Sequence, residues 1–147
     1  MICRRSSIGC LANYPLPTSH QRLFLDPETK LYRALTSGKC LDGDRVTDKA
    51  FRLRPANADF SAETTLSVAL TPEKAIGDLD CKGYTEILAG EIERIDGLRI
   101  QPKKESDDLD LYEIAGIPFD DITAQNDYAI ALAKICSKAV RVKKQNR

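Results

Sequence analysis

Tryptophan is absent, and histidine occurs once, at His20. With one histidine, near the start of the chain, a Ser-His or Cys-His pair would require that segment to fold back over the rest. No cluster of Cys and His has zinc-ligand spacing, so no metal is expected. The five cysteines, Cys3, Cys10, Cys40, Cys81 and Cys136, are odd in number, widely spaced and without Cys-x-x-Cys. That is the usage of a reduced, cytoplasmic protein. No apolar run is long enough to span a bilayer. At the start of the chain a short apolar stretch is broken by Ser6, Ser7 and Gly9, so no export signal is read there. Phosphate loops and Gly-x-Gly-x-x-Gly are missing as well, and no cofactor is expected. Charge of one sign is also lacking: 22 Lys and Arg balance 22 Asp and Glu. Zero net charge argues against a nucleic-acid coat or a polybasic membrane anchor.

What is present belongs to a globular chain. The 147 residues suit one domain, and 42% are hydrophobic and 30% charged. Residues 1–22 show neither helix nor strand periodicity and read as a disordered tail. Residues 23–142 read as a single domain, and 143–147 as a basic C-terminal tail.

The clearest local signal is a strand-to-helix junction. Leu66, Val68 and Leu70 alternate with Thr65, Ser67 and Ala69, the period of a strand with one buried face. Thr71 then caps a short helix reaching about Leu79, with Pro72 at its first position and Glu73 in its first turn. Strands are also expected at residues 31–35, 84–89, 98–100 and 111–115. A short one through Phe51 and Leu53 would turn Arg52 and Arg54 outward. From about Thr123 to Val140, Tyr128, Ala131, Leu132, Ile135, Cys136, Ala139 and Val140 share a helix face. The expected class is α+β: a small, mostly antiparallel sheet with this C-terminal amphipathic helix packed on one face and the Pro72 helix at its edge.

Candidate chemistry is sparse. If residues 31–35 form a strand, Arg33 shares a face with Leu31 and Leu35, and a partly buried guanidinium needs an anionic partner or ligand. Glu86, Glu91 and Glu113 are the candidate partners. Such a pair is a structural ion pair first, and an acid-base or binding site second. Arg45, Arg52 and Arg54, with Lys49, form a modest basic strip for nucleic-acid contact, with Phe51 the only aromatic inside it; a solvated face is the plainer reading. Asp107, Asp108 and Asp110 form an acidic loop that could meet a hard cation. Solvation of that loop is again the plainer reading.

Two resemblances follow from these residues. Leu31-Tyr32-Arg33, Thr47-Asp48-Lys49-Ala50-Phe51, Leu66-Ser67-Val68, Glu113-Ile114-Ala115-Gly116-Ile117-Pro118 and the alanine-rich terminal helix resemble a family of small, uncharacterised bacterial proteins. That resemblance implies a cytosolic, single-domain accessory protein and carries no activity. Leu31-Tyr32-Arg33 with residues 43–51 and a later glutamate is similar to arginine-type ADP-ribosyltransferases. There Arg33 would hold a nicotinamide dinucleotide and Glu86 or Glu91 would be catalytic. Arg52-Leu53-Arg54 departs from the Ser-Thr-Ser run of that family. The leading expectation is a non-catalytic binding or accessory module with a protein partner. A small enzyme using Arg33 and a glutamate comes second, and nucleic-acid contact through the Arg45–Arg54 strip third.

Overall fold

The computed structural model describes residues 25–59, 61–104 and 106–142. The expected tails at 1–22 and 143–147, with Cys3, Cys10 and His20, lie outside these residues. Along the chain run β1 (Lys30–Leu35), β2 (Leu41–Asp42), β3 (Arg45–Val46), β4 (Leu66–Ala69), α1 (Pro72–Ile76), β5 (Gly83–Leu88), α2 (Ala89–Glu93), β6 (Arg99–Pro102), β7 (Leu111–Ala115), α3 (Ile122–Ile135) and β8 (Val140–Arg141). Two short 3-10 turns occupy Gly38–Cys40 and Asp48–Phe51. The main sheet has the order β6-β7-β4-β1-β5-β8 with every neighbour antiparallel, and β2 and β3 form a separate ribbon. The architecture is therefore mixed α+β, dominated by an antiparallel sheet.

Alternation in the central strands sorts the two faces. Leu31, Leu35, Leu66, Ile87 and Ile114 are almost fully buried and belong to one core cluster, joined by Phe51, Ile92 and Leu132 from the elements covering that face. Arg33 lies between Leu31 and Leu35 in the same alternation and pairs with Thr85 of β5. The opposite face carries Tyr32, Ala34, Ser67, Ala69, Tyr84, Glu86 and Glu113, as the register fixes. α1 packs against both β1 and β4.

The Thr71 cap forms as its chemistry dictates: its side chain accepts a hydrogen bond from the amide of Lys74 at 3.2 Å. α1 stops at Ile76 and does not run to Leu79, because Gly77 leaves the helix at φ +52°. Phe51 is buried in a 3-10 turn and not in a strand. Arg33 Nε binds the Ala50 carbonyl at 3.0 Å, so this backbone is held to β1 by a side chain in place of a ladder.

α3 departs most from its sequence pattern. It begins at Ile122, capped by the Asp121 carboxylate on the Ala124 amide at 3.0 Å. It ends at Ile135, five residues before the periodicity does. The reason is tertiary. Thr85 Oγ1 donates to the Ser137 carbonyl (2.7 Å), the Ser137 amide donates to the Glu86 carbonyl (2.9 Å), and Ser137 Oγ accepts from the Glu86 amide (3.1 Å). These bonds pull the chain off the helix and add Val140 and Arg141 to the β5 edge. Ala139 and Val140 are thus not helical. Ile135 is only partly buried, whereas Leu132 is fully enclosed. The helix packs mainly on the Asp48–Phe51 turn.

Leu132→Ala should cost about 2–5 kcal/mol, the range for emptying a close-packed site. Urea denaturation measures it, and a cost below about 0.5 kcal/mol would mean that α3 does not seal the core. Gly116 gives a second expectation. It sits at φ +109°, and a Cβ there would run into the Gly97 carbonyl. Gly116→Ala should therefore lose more than about 1 kcal/mol in the same experiment.

Candidate functional site

The site grows out of a gap in the sheet. β1 and β4 are neighbours, but their register covers only Tyr32 opposite Ala69. Beyond that pair, towards Leu35 and Leu66, the Arg33 side chain stands where further ladder bonds would be. Its Nη1 donates to the Ser67 carbonyl at 2.9 Å and its Nε to the Ala50 carbonyl at 3.0 Å. The guanidinium thus ties β1 to β4 and to the turn covering the core. Its Nη2 meets no hydrogen-bond acceptor among the described residues, and no carboxylate lies within ion-pair distance of it.

Removal from water pulls the proton affinity of Arg33 down, and the negative charge of Glu63 pushes it back. An arginine stays charged through such a shift, so among the described residues a cation is held at the core boundary on two carbonyls. Glu63 is itself engaged elsewhere. Its Oε1 accepts from the Arg54 amide at 2.6 Å, its own amide donates to the Arg54 carbonyl at 2.9 Å, and its Oε2 stands 3.9 Å from Arg54 Nη1. These contacts tie together Arg54 and Glu63, positions nine residues apart.

Arg33 lines a cleft with two adjoining lobes of 340 and 520 Å³. Both lobes share Arg33, Thr36, Arg54, Glu63, Ser67, Ala75 and Leu79. The first adds Lys39, Lys49 and Arg52; the second adds Lys74, Asp78 and Lys103. Among the described residues the walls therefore hold seven basic side chains and two acidic ones. Three of the basic groups are neutralised locally: Arg52 by Asp48 at 2.6 Å, Lys74 by Asp108 at 2.6 Å, and Arg54 by Glu63. Lys39 and Lys49 have no carboxylate partner among the described residues. Lys103 Nζ donates to Ser67 Oγ at 2.6 Å, which holds a fourth charge over the second lobe.

The expected partners of Arg33 lie elsewhere. Thr85 is its register partner, so Glu86, one residue on, projects from the opposite face. There the Glu86 carboxylate accepts a 3.4 Å hydrogen bond from the Tyr32 hydroxyl. Burial and this carboxylate raise the Tyr32 pKa. Glu91 sits on α2 and binds Arg94 at 3.1 Å. Glu113 is buried on β7, held by Gln101 Nε2 at 2.7 Å. None of the three shares a cleft with Arg33.

The basic strip is divided. Arg52 and Arg54 join the Arg33 cleft, while Arg45 lines a separate groove with Asp42, Asp48, Ile130, Lys134 and Cys136, where opposite charges balance. Asp108 of the acidic loop is spent on Lys74 and on the Asp110 amide at 2.9 Å, and the lysine holds its carboxyl below the usual range. No cluster of three or more metal-ligating side chains occurs among the described residues. Sequence reasoning missed Lys39, Glu63 and Lys103. Their only signal is long-range: each reaches the cleft from a different loop or strand end.

No family model matches the chain, and no curated protein or solved structure is significantly similar to it. No helix among the described residues is long and apolar enough to cross a membrane.

Arg33→Lys should lower stability by about 1–3 kcal/mol, since one ammonium cannot reproduce the planar fork that reaches both carbonyls. Thermal or urea unfolding tests this, and unchanged stability would mean that the fork does not hold β1, β4 and the turn together.

Proposed function

We propose that this chain is a non-catalytic binding module whose ligand carries negative charge and enters the Arg33 cleft. One observation carries the reading: a half-buried guanidinium, held among the described residues by carbonyls only, faces a cleft in which Lys39, Lys49 and Lys103 also lack carboxylate partners among those residues. A partly buried cation of this kind is relieved by an anion, and the planar fork suits carboxylate, sulfate or phosphate oxygens. A catalytic role draws no comparable support. Glu86 and Glu91, expected to serve it, lie outside the cleft, Glu63 within it is engaged by Arg54, and the half-buried Lys103 is held as a donor to Ser67. Cys40, Cys81 and Cys136 are free, which suits a reducing cytoplasm. Contact with a protein partner is the second reading. It is favoured by Phe119 and Ile122, each 68% exposed, at the start of α3.

Titration with sodium sulfate at constant ionic strength, followed by backbone-amide NMR, tests the first reading. The amides of Thr36, Cys40, Ser67 and Ala75 should move, and those around the Arg45 groove should not. Replacing the exposed Lys39 and Lys49 together with glutamate should weaken sulfate binding at least about tenfold, with the melting temperature nearly unchanged. Equal responses in both places, or full binding by the charge-reversed protein, would show diffuse ion association and no site.

A further inference from the structure

We infer that the ligand of this cleft is a phosphate chain, a compound bearing two or more linked phosphoryl groups, gripped by its oxygens. The inference rests on the anion-binding reading above. Size is its first support. A lone phosphate group has five non-hydrogen atoms and fills about 150 Å³ at the volume share of liquid water per atom. The lobes measure 340 and 520 Å³ and meet at Arg33. A single phosphate group could occupy one lobe only, whereas a chain crossing Arg33 meets Lys49 at one end and Lys103 at the other.

The donors suit phosphoryl oxygens. Besides the four charges without carboxylate partners among the described residues, Thr36 and Ser67 bring hydroxyl groups to the shared part of the cleft. Ser67 Oγ accepts from Lys103, so its own hydrogen is available to a ligand oxygen. Lysine ammonium groups serve as point charges for phosphate, and the outer edge of the Arg33 fork adds directed bonds.

Other polyanions fit less well. No aromatic ring lines either lobe among the described residues. Single-stranded nucleic acid is held by stacking bases on such rings, so the base moiety would find no platform here. An acidic peptide adding as a strand needs a sheet edge. The edges are β6 and β8, whereas the cleft lies between the central strands β1 and β4. Among the described residues the cleft offers charge and hydroxyl donors, with Val68, Ile76, Leu79 and Leu111 as apolar wall and no aromatic anchor, and a phosphate chain uses the charge and the hydroxyls.

The test is calorimetric titration of the full chain at near-physiological salt. Inorganic tripolyphosphate is the probe, with citrate, an oligo-aspartate and an oligothymidylate as comparisons. Tripolyphosphate should bind at least about tenfold more tightly than the other three. Lys49→Glu and Lys103→Glu, one at each end, should each weaken it about tenfold or more, with unfolding curves confirming that both variants fold. Citrate or oligo-aspartate binding as tightly as tripolyphosphate would overturn the phosphate assignment and leave the anion-binding reading intact. Tighter binding of the oligothymidylate, growing with its length, would make the occupant a nucleic acid. Tripolyphosphate affinity unchanged in both variants would place the phosphate site elsewhere. Failure of all four probes to bind, with sulfate inert as well, would overturn both readings.

Discussion

The Arg33 guanidinium, holding the carbonyls of Ala50 and Ser67, is the interaction on which this structure turns. It sits on the core face of a central strand, between two fully buried leucines, where an aliphatic residue would ordinarily stand. An aliphatic residue could seal the core, but it could not accept the job of the missing β1–β4 ladder. The guanidinium does so, satisfying Ser67 at one end and fixing the Asp48–Phe51 turn at the other. That turn carries Phe51 into the core and forms the seat of α3. One side chain thus links the sheet, the cover of the core and the terminal helix.

The same arrangement produces the cleft. Strands that are bonded by one register pair and then part leave a wedge, and a charged head group at its base keeps the wedge polar. With no carboxylate against it among the described residues, the cation costs stability, since its burial is offset there by carbonyl dipoles. Glu63 is close enough to be felt electrostatically but is committed to Arg54. A structural ion pair would have used that carboxylate directly. The incomplete pairing is why the cleft is read as a place for an external anion and not as a salt bridge of the fold.

The alternation of Leu31, Arg33 and Leu35 made the position of Arg33 readable from the residues alone. So did the Thr71-Pro72 start of α1 and the strand at Leu111–Ala115. Its partners were not readable. Glu86 falls on the wrong face because Arg33 pairs with Thr85, and Glu113 stands opposite Ser67 on that same other face. The end of α3 was hidden for a different reason: the helix-face pattern continues past Cys136, and only the bonds from β5 to Ser137 override it. The turn at Asp48–Phe51 mimicked a strand, since Phe51 and Leu53 alternate with two arginines. Lys39, Glu63 and Lys103 converge from distant loops, so no spacing in the chain marks them as one site.

The central claim is that Arg33 is at once the clasp of the fold and the charge that an anion meets. Arginine-selective NMR of the Nε–H group tests it most directly. In the free protein the Arg33 Nε–H should exchange slowly with water, because it is bonded to the Ala50 carbonyl. On adding tripolyphosphate its resonance should shift saturably, along the same binding curve as the Ser67 amide. A fast-exchanging Arg33 signal that stays in place while tripolyphosphate saturates the protein would contradict both halves of the claim.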